Sequence, residues 1–121
     1  MPSLFEVSAG KLAGPTTGGT VTQATNKTTG VTLNTESGQI TMNNAALAAA
    51  AEVSFTVTNS EIAATDVVVV NHGSAGTAGA YLVGVSAIAA GSFGITVTNV
   101  SAGSLGEAIV INFVELKGAS S

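Results

Sequence analysis

From Thr20 onward, apolar residues recur at every second position in short runs about ten residues apart, and no lysine or arginine interrupts them between Lys27 and Lys117. Period two sends successive side chains to opposite faces of an extended strand, so this pattern commits the chain to β-structure. Val21 opens a short strand. Val31 and Leu33, then Ile40 and Met42, flank Glu36-Ser37-Gly38, which reads as a hairpin turn. Val53, Phe55 and Val57 alternate with Glu52, Ser54, Thr56 and Thr58. Val67-Val68-Val69-Val70 is a continuous β-branched run, the pattern of a strand covered on both faces. Tyr81, Val83 and Val85, then Phe93, Ile95 and Val97, then Ile109, Ile111 and Phe113 complete the series. About eight strands at this spacing predict an all-β fold, a jelly-roll-like antiparallel β-sandwich.

An internal echo supports a doubled strand pattern. Phe55-Thr-Val-Thr-Asn59 returns as Ile95-Thr-Val-Thr-Asn99. Asp66, four apolar residues and Asn71 return as Glu107, four apolar residues and Asn112. Each copy reads as strand, turn, strand, which suits a doubled Greek key, although convergence on Thr-Val alternation would look the same. Ala45 to Ala51 is rich in the best helix former, with Asn44 placed as a cap, but it is too short for an independent helix and reads as a compact connection.

The sandwich is expected over residues 20–117, with an N-terminal arm over 1–19 and a flexible tail over 118–121. Gly10, Gly14, Pro15, Gly18 and Gly19 break any regular element in the arm. It is either a frayed terminus or a docking arm that lays Leu4, Phe5, Val7 and Leu12 on a partner.

Composition narrows the function. Only 8% of the 121 residues are charged, against about 25% in a typical soluble domain. The net charge is −4, and clustered Lys/Arg for displacing phosphate counterions does not occur, which argues against nucleic acid and against an anionic membrane surface. No apolar run approaches the roughly 18 residues of a membrane span. The start lacks a basic region followed by a continuous apolar core, so synthesis and use in a cytoplasm is expected and the sequons at Asn26 and Asn99 read as chance. There is no cysteine, and no cluster of oxygen ligands in the Asp-x-Asp style, so no metal site and no cofactor are expected.

His72 is the single histidine. A hydrolase would recruit Ser74 as nucleophile and Asp66 as orienting carboxylate, but no nucleophile elbow or oxyanion motif accompanies them. Glu52, Glu61, Asp66 and Glu107 each stand beside a turn signal, where a charge is cheaply solvated, rather than as a glycosidase pair in a cleft. With one Tyr and no Trp there is little to build a sugar platform. No catalytic residue is expected. What remains is surface suited to contact: small side chains, Thr ladders, and Val-rich edges without lysine gatekeepers that need covering.

Four phrases carry a resemblance: Gly19-Thr-Val-Thr-Gln-Ala-Thr25, Thr29-Gly-Val-Thr-Leu-Asn34, Gly38-Gln-Ile-Thr-Met-Asn-Asn44 and Ser101-Ala-Gly-Ser-Leu-Gly-Glu-Ala-Ile-Val-Ile-Asn-Phe113. Over about Gly19 to Lys117 the chain resembles small proteins of tailed-bacteriophage structural gene clusters, of the capsid decoration (cement) or head-fibre type. The resemblance implies a homo-oligomeric β-sandwich on the virion surface, made in the host bacterial cytoplasm. It binds the major capsid protein and is a trimer by first expectation and a dimer by second. It implies no individual binding residues. The competing expectation is a glycan- or host-surface-binding module of a phage fibre.

Overall fold

The computed structural model describes residues 18–118, together with the strand backbones Val7–Ser8 and Lys11–Leu12. It contains two short arm strands, β1 (Val7–Ser8) and β2 (Lys11–Leu12), and eight strands that form a sandwich. These are β3 (Thr20–Thr22), β4 (Val31–Thr32), β5 (Ser37–Thr41), β6 (Glu52–Thr58), β7 (Val67–Ser74), β8 (Tyr81–Ala89), β9 (Ser92–Asn99) and β10 (Val110–Leu116). The first sheet runs β3-β5-β10-β7 and the second β4-β6-β9-β8. No helix occurs among the described residues, and Ala45 to Ala51 is a connection anchored by a Leu47–Leu105 bridge.

β10 lies between β5 and β7, and β9 between β6 and β8, so the last two strands are central in the two sheets of a β-sandwich, an order different from that of a jelly roll. The two outermost pairings depart from the antiparallel expectation, because β3 runs parallel to β5 and β4 parallel to β6. Parallel neighbours need a crossover, and here each crossover passes through the opposite sheet.

The alternation places the core as expected. Phe55, Val57, Phe93, Ile95, Val97, Ile109, Ile111 and Phe113 are all buried. Phe93 and Phe113 meet between the sheets, with ring centroids 5.4 Å apart. Each large apolar side chain so placed contributes about 1.5–3 kcal/mol relative to exposure.

The echo has a spatial meaning. Phe55 lies directly opposite Ile95 in the β6–β9 pair, and Asn71 directly opposite Asn112 in the β7–β10 pair. Equivalent residues facing each other across antiparallel strands are what a local twofold axis produces.

Two local expectations are corrected. Glu36-Ser37-Gly38 is not a hairpin turn: β4 pairs with β6 and β5 with β10, so the chain crosses from one sheet to the other there. Sheets pack about 10 Å apart, and Leu33 to Glu36 spans that gap. Val67–Val70 is not covered on both faces. β7 is an edge strand, Val68 is buried beneath it, and Val67 and Val69 are 51% and 47% exposed.

Candidate contact surface

Of the four arm residues expected to dock, Leu4 and Phe5 lie outside the described residues, and Val7 and Leu12 are opposite members of the β1–β2 pair. The candidate surface that the described residues do present is the outside of the two sheets.

On the first sheet, register aligns Leu116 with Val67 and Val114 with Val69, all on the face opposite the core row Ile111, Phe113 and Glu115. These four side chains form an apolar corner at the β7 edge. Among the described residues β7 hydrogen-bonds within a sheet only to β10, so its other edge carries unpaired backbone groups. Further along, the face turns polar, and Gln39 Nε2 donates to Asn112 Oδ1 at 3.1 Å.

The outer face of the second sheet is built from small and hydroxylated side chains. Ser54 and Thr96 share a 2.6 Å hydrogen bond between their hydroxyls. Ser86 is the extra residue of a bulge in β8, and its hydroxyl sits over Gly94, where an added Cβ would stand 2.7 Å from it and force it to shift. A shallow hollow of about 340 Å³ results, lined by Thr28, Ser54, Thr56, Ser86 and Ser92 among others. Leu82, 66% exposed, stands at the far end of the same face.

The charged residues are largely absorbed by the frame. Glu107 Oε1 accepts from the Thr77 amide at 2.9 Å and from the Tyr81 hydroxyl at 2.7 Å, and Oε2 accepts from the Thr77 hydroxyl at 2.9 Å. Those donors, the Tyr81 hydroxyl first, hold the Glu107 carboxyl below its usual range, while burial and the nearby carboxylate push the Tyr81 phenol well up. Lys27 is buried, and its ammonium donates to the carbonyls of Asn43 and Glu107. Burial pulls its pKa down, partly opposed by the Glu107 charge. At the opposite end, Lys117 Nζ donates to Glu61 O at 2.7 Å and to Asp66 Oδ2 at 3.1 Å. Burial works to raise the Asp66 pKa, but the amides of Ala63 and Gly118 and the Lys117 ammonium outweigh it and hold the carboxyl low. Thus the lysines that bound the long span without basic residues both act as pins between loops.

His72 is edge-on to Tyr81, with ring centroids 5.4 Å apart, and its Nε2 faces the Ser74 carbonyl oxygen at 3.1 Å. Asp66 precedes the first residue of β7, so six residues of extended chain, about 20 Å, separate it from His72. The structure therefore does not bring the hypothetical triad members together. The same expectation about solvated acids needs correction for Asp66, which is buried and paired, while Glu52 and Glu61 are exposed.

Sequence reasoning missed Glu115. It continues the inward alternation Ile111, Phe113, Glu115, and it is only 1% exposed, with neither carboxyl oxygen hydrogen-bonded. The period-two pattern carried that signal. Among the described residues no group of three or more His, Asp and Glu side chains is arranged to hold a metal ion, and no helix is long and apolar enough to cross a membrane. Comparison with protein-family models, with curated proteins and with solved structures found no match.

Proposed function

We propose that this protein is a non-enzymatic virion structural protein that decorates and stabilises a phage capsid by binding the outer surface of major capsid subunits. The observation that carries the reading is the apolar corner of Val67, Val69, Val114 and Leu116 beside the unpaired β7 edge. An edge of this kind, with no lysine or proline along it, favours association through backbone pairing and apolar burial. The phage-type phrases at Gly19–Thr25, Thr29–Asn34, Gly38–Asn44 and Ser101–Phe113 point to the class of partner. A trimer is the first choice and a dimer the second, since threefold and twofold positions on a shell impose matching symmetry. The protein would then act at the capsid surface of the virion, after synthesis in the bacterial host.

The test is co-sedimentation with shells of the major capsid protein of the same virion. Saturable, stoichiometric binding is expected, and a protein that stays in the supernatant contradicts it. Deleting residues 1–18 tests the arm separately: unchanged binding would mean that the arm does not dock and that the sheet corner carries the contact.

The hollow that sets the hydroxyls of Thr28, Ser54, Thr56, Ser86 and Ser92 among apolar neighbours such as Ala87 and Ala89 favours a second reading, a glycan- or host-surface-binding module of a phage fibre. Saturable binding on a glycan array, lost on Ser54→Val with Thr56→Val, would support that reading over decoration.

A further inference from the structure

A carboxyl buried without hydrogen bonds is expensive in its charged form and tolerable in its neutral form. Glu115 is such a group. Its backbone is fixed, with the amide donating to Glu36 O at 2.8 Å and with Val68 of β7 directly opposite, so the side chain cannot leave the interior while β10 stays paired. The charged groups around it come from each element that closes this end: Glu36 before β5, Glu61 and Asp66 from the β6–β7 connection, and Lys117 after β10. Three of the four are acids. The single cation is already engaged by Asp66 and by the Glu61 carbonyl oxygen.

Next to Glu115 in the chain, a short strap fastens the end of β10 to the β6–β7 connection. The Gly118 amide donates to Asp66 Oδ1 at 3.2 Å, and Lys117 reaches the other carboxylate oxygen. The strap lies so close to the Thr65 carbonyl oxygen that a Cβ at position 118 has no room. It follows Glu115 directly in the chain and is tied to the β6–β7 connection, so its release would loosen the chain next to the buried carboxyl.

We propose that Glu115 and the Leu116–Gly118 strap form a proton-operated clasp: the neutral carboxyl keeps this end of the sandwich closed, and ionisation draws Lys117 from Asp66 and frees the strap. Burial first, then the surrounding acids, push the Glu115 carboxyl up to about 7, against the opposing pull of Lys117. The sign is the reverse of the usual acidic residue. The folded state holds the proton more tightly than the unfolded chain, so the closed end is favoured at low pH. That advantage fades as pH rises from the ordinary Glu value of 4.5 through about 7. The proposal does not depend on the capsid reading.

The decisive experiment is a carbon-13 NMR titration of the Glu115 side-chain carboxyl, run with amide hydrogen exchange at Gly118 and Ala63, both of which donate to Asp66. The expected titration midpoint lies near 7. Beyond the intrinsic pH dependence of exchange, opening at the two amides should rise several tens of fold between about pH 5 and pH 8. Glu115→Gln should make opening independent of pH in that range, while His72→Gln should leave the rise intact. A Glu115 midpoint near the ordinary value overturns the proposal, as does a pH-dependent opening that survives Glu115→Gln. Should Glu115→Gln fail to fold, the wild-type titration and exchange decide alone.

Discussion

The two echoed crossings between sheets share a design and spend it differently. Asn59 and Asn99 are both fully buried at the inward end of a Thr-Val-Thr run, and both open an Asx turn by accepting the amide two residues on. Asn59 Nδ2 donates to Thr35 O at 2.7 Å, and Asn99 Nδ2 donates to Leu47 O at 2.8 Å and Gly103 O at 2.9 Å. The acids that close the two crossings diverge. Asp66 is buried and bound to Lys117, whereas Glu107 is half-buried and organises Thr77 and Tyr81. The repeated element is therefore the backbone turn that lets a strand change sheets, and the acid takes whatever donors its neighbourhood offers.

Removing the shared part should cost most. Asn99→Ala strands the Leu47 and Gly103 carbonyl oxygens and the Ser101 amide, and a loss of about 3 kcal/mol in urea unfolding is expected. Asn59→Ala, with fewer bonds to lose, should cost about 2 kcal/mol. Equal losses at the two sites would mean that the turn alone matters and the extra bonds of Asn99 contribute nothing.

The acids come next, and they separate by pH. Asp66 has a depressed pKa, so its contribution is present above its ordinary value of 3.8 and is lost as pH falls through the folded value. Asp66→Asn should remove about 2 kcal/mol at pH 6 and flatten the acid limb of a stability profile. Glu115 works in the opposite direction, so Glu115→Gln should instead flatten the limb above pH 5, raising stability at pH 8 by about 2–3 kcal/mol. The smallest effect belongs to the half-buried copy: Tyr81→Phe deletes one hydrogen bond to Glu107 and should cost about 1 kcal/mol.

Much of this frame is legible in the chain. Alternation alone puts Phe55, Val57, Ile95, Val97, Ile111 and Phe113 on inward rows, because period two has one meaning in an extended backbone. Strand partnership is not legible, since a turn signal such as Glu36-Ser37-Gly38 marks a change of direction without stating which sheet receives the next strand. The Val67–Val70 run is ambiguous for a related reason. β-branched residues suit a buried central strand and an edge awaiting a partner equally well, and β7 is the edge. Glu115 was hidden by the rule that charges face water, although its place in the alternation shows it facing in. The buried Lys27 left no such trace, because the carbonyls it meets come from Asn43 and Glu107, distant in sequence.

The proposed docking rests on the apolar corner of Val67, Val69, Val114 and Leu116. Val67→Lys combined with Val69→Lys places two charges on exposed positions without touching Val68 or the core, so the fold and its unfolding midpoint should change little. Co-sedimentation of this variant with capsid shells, side by side with the wild type, is the most direct test. Wild type pelleting in fixed stoichiometry while the double variant stays in solution is the predicted result. Equal pelleting of both, or of neither, would contradict it.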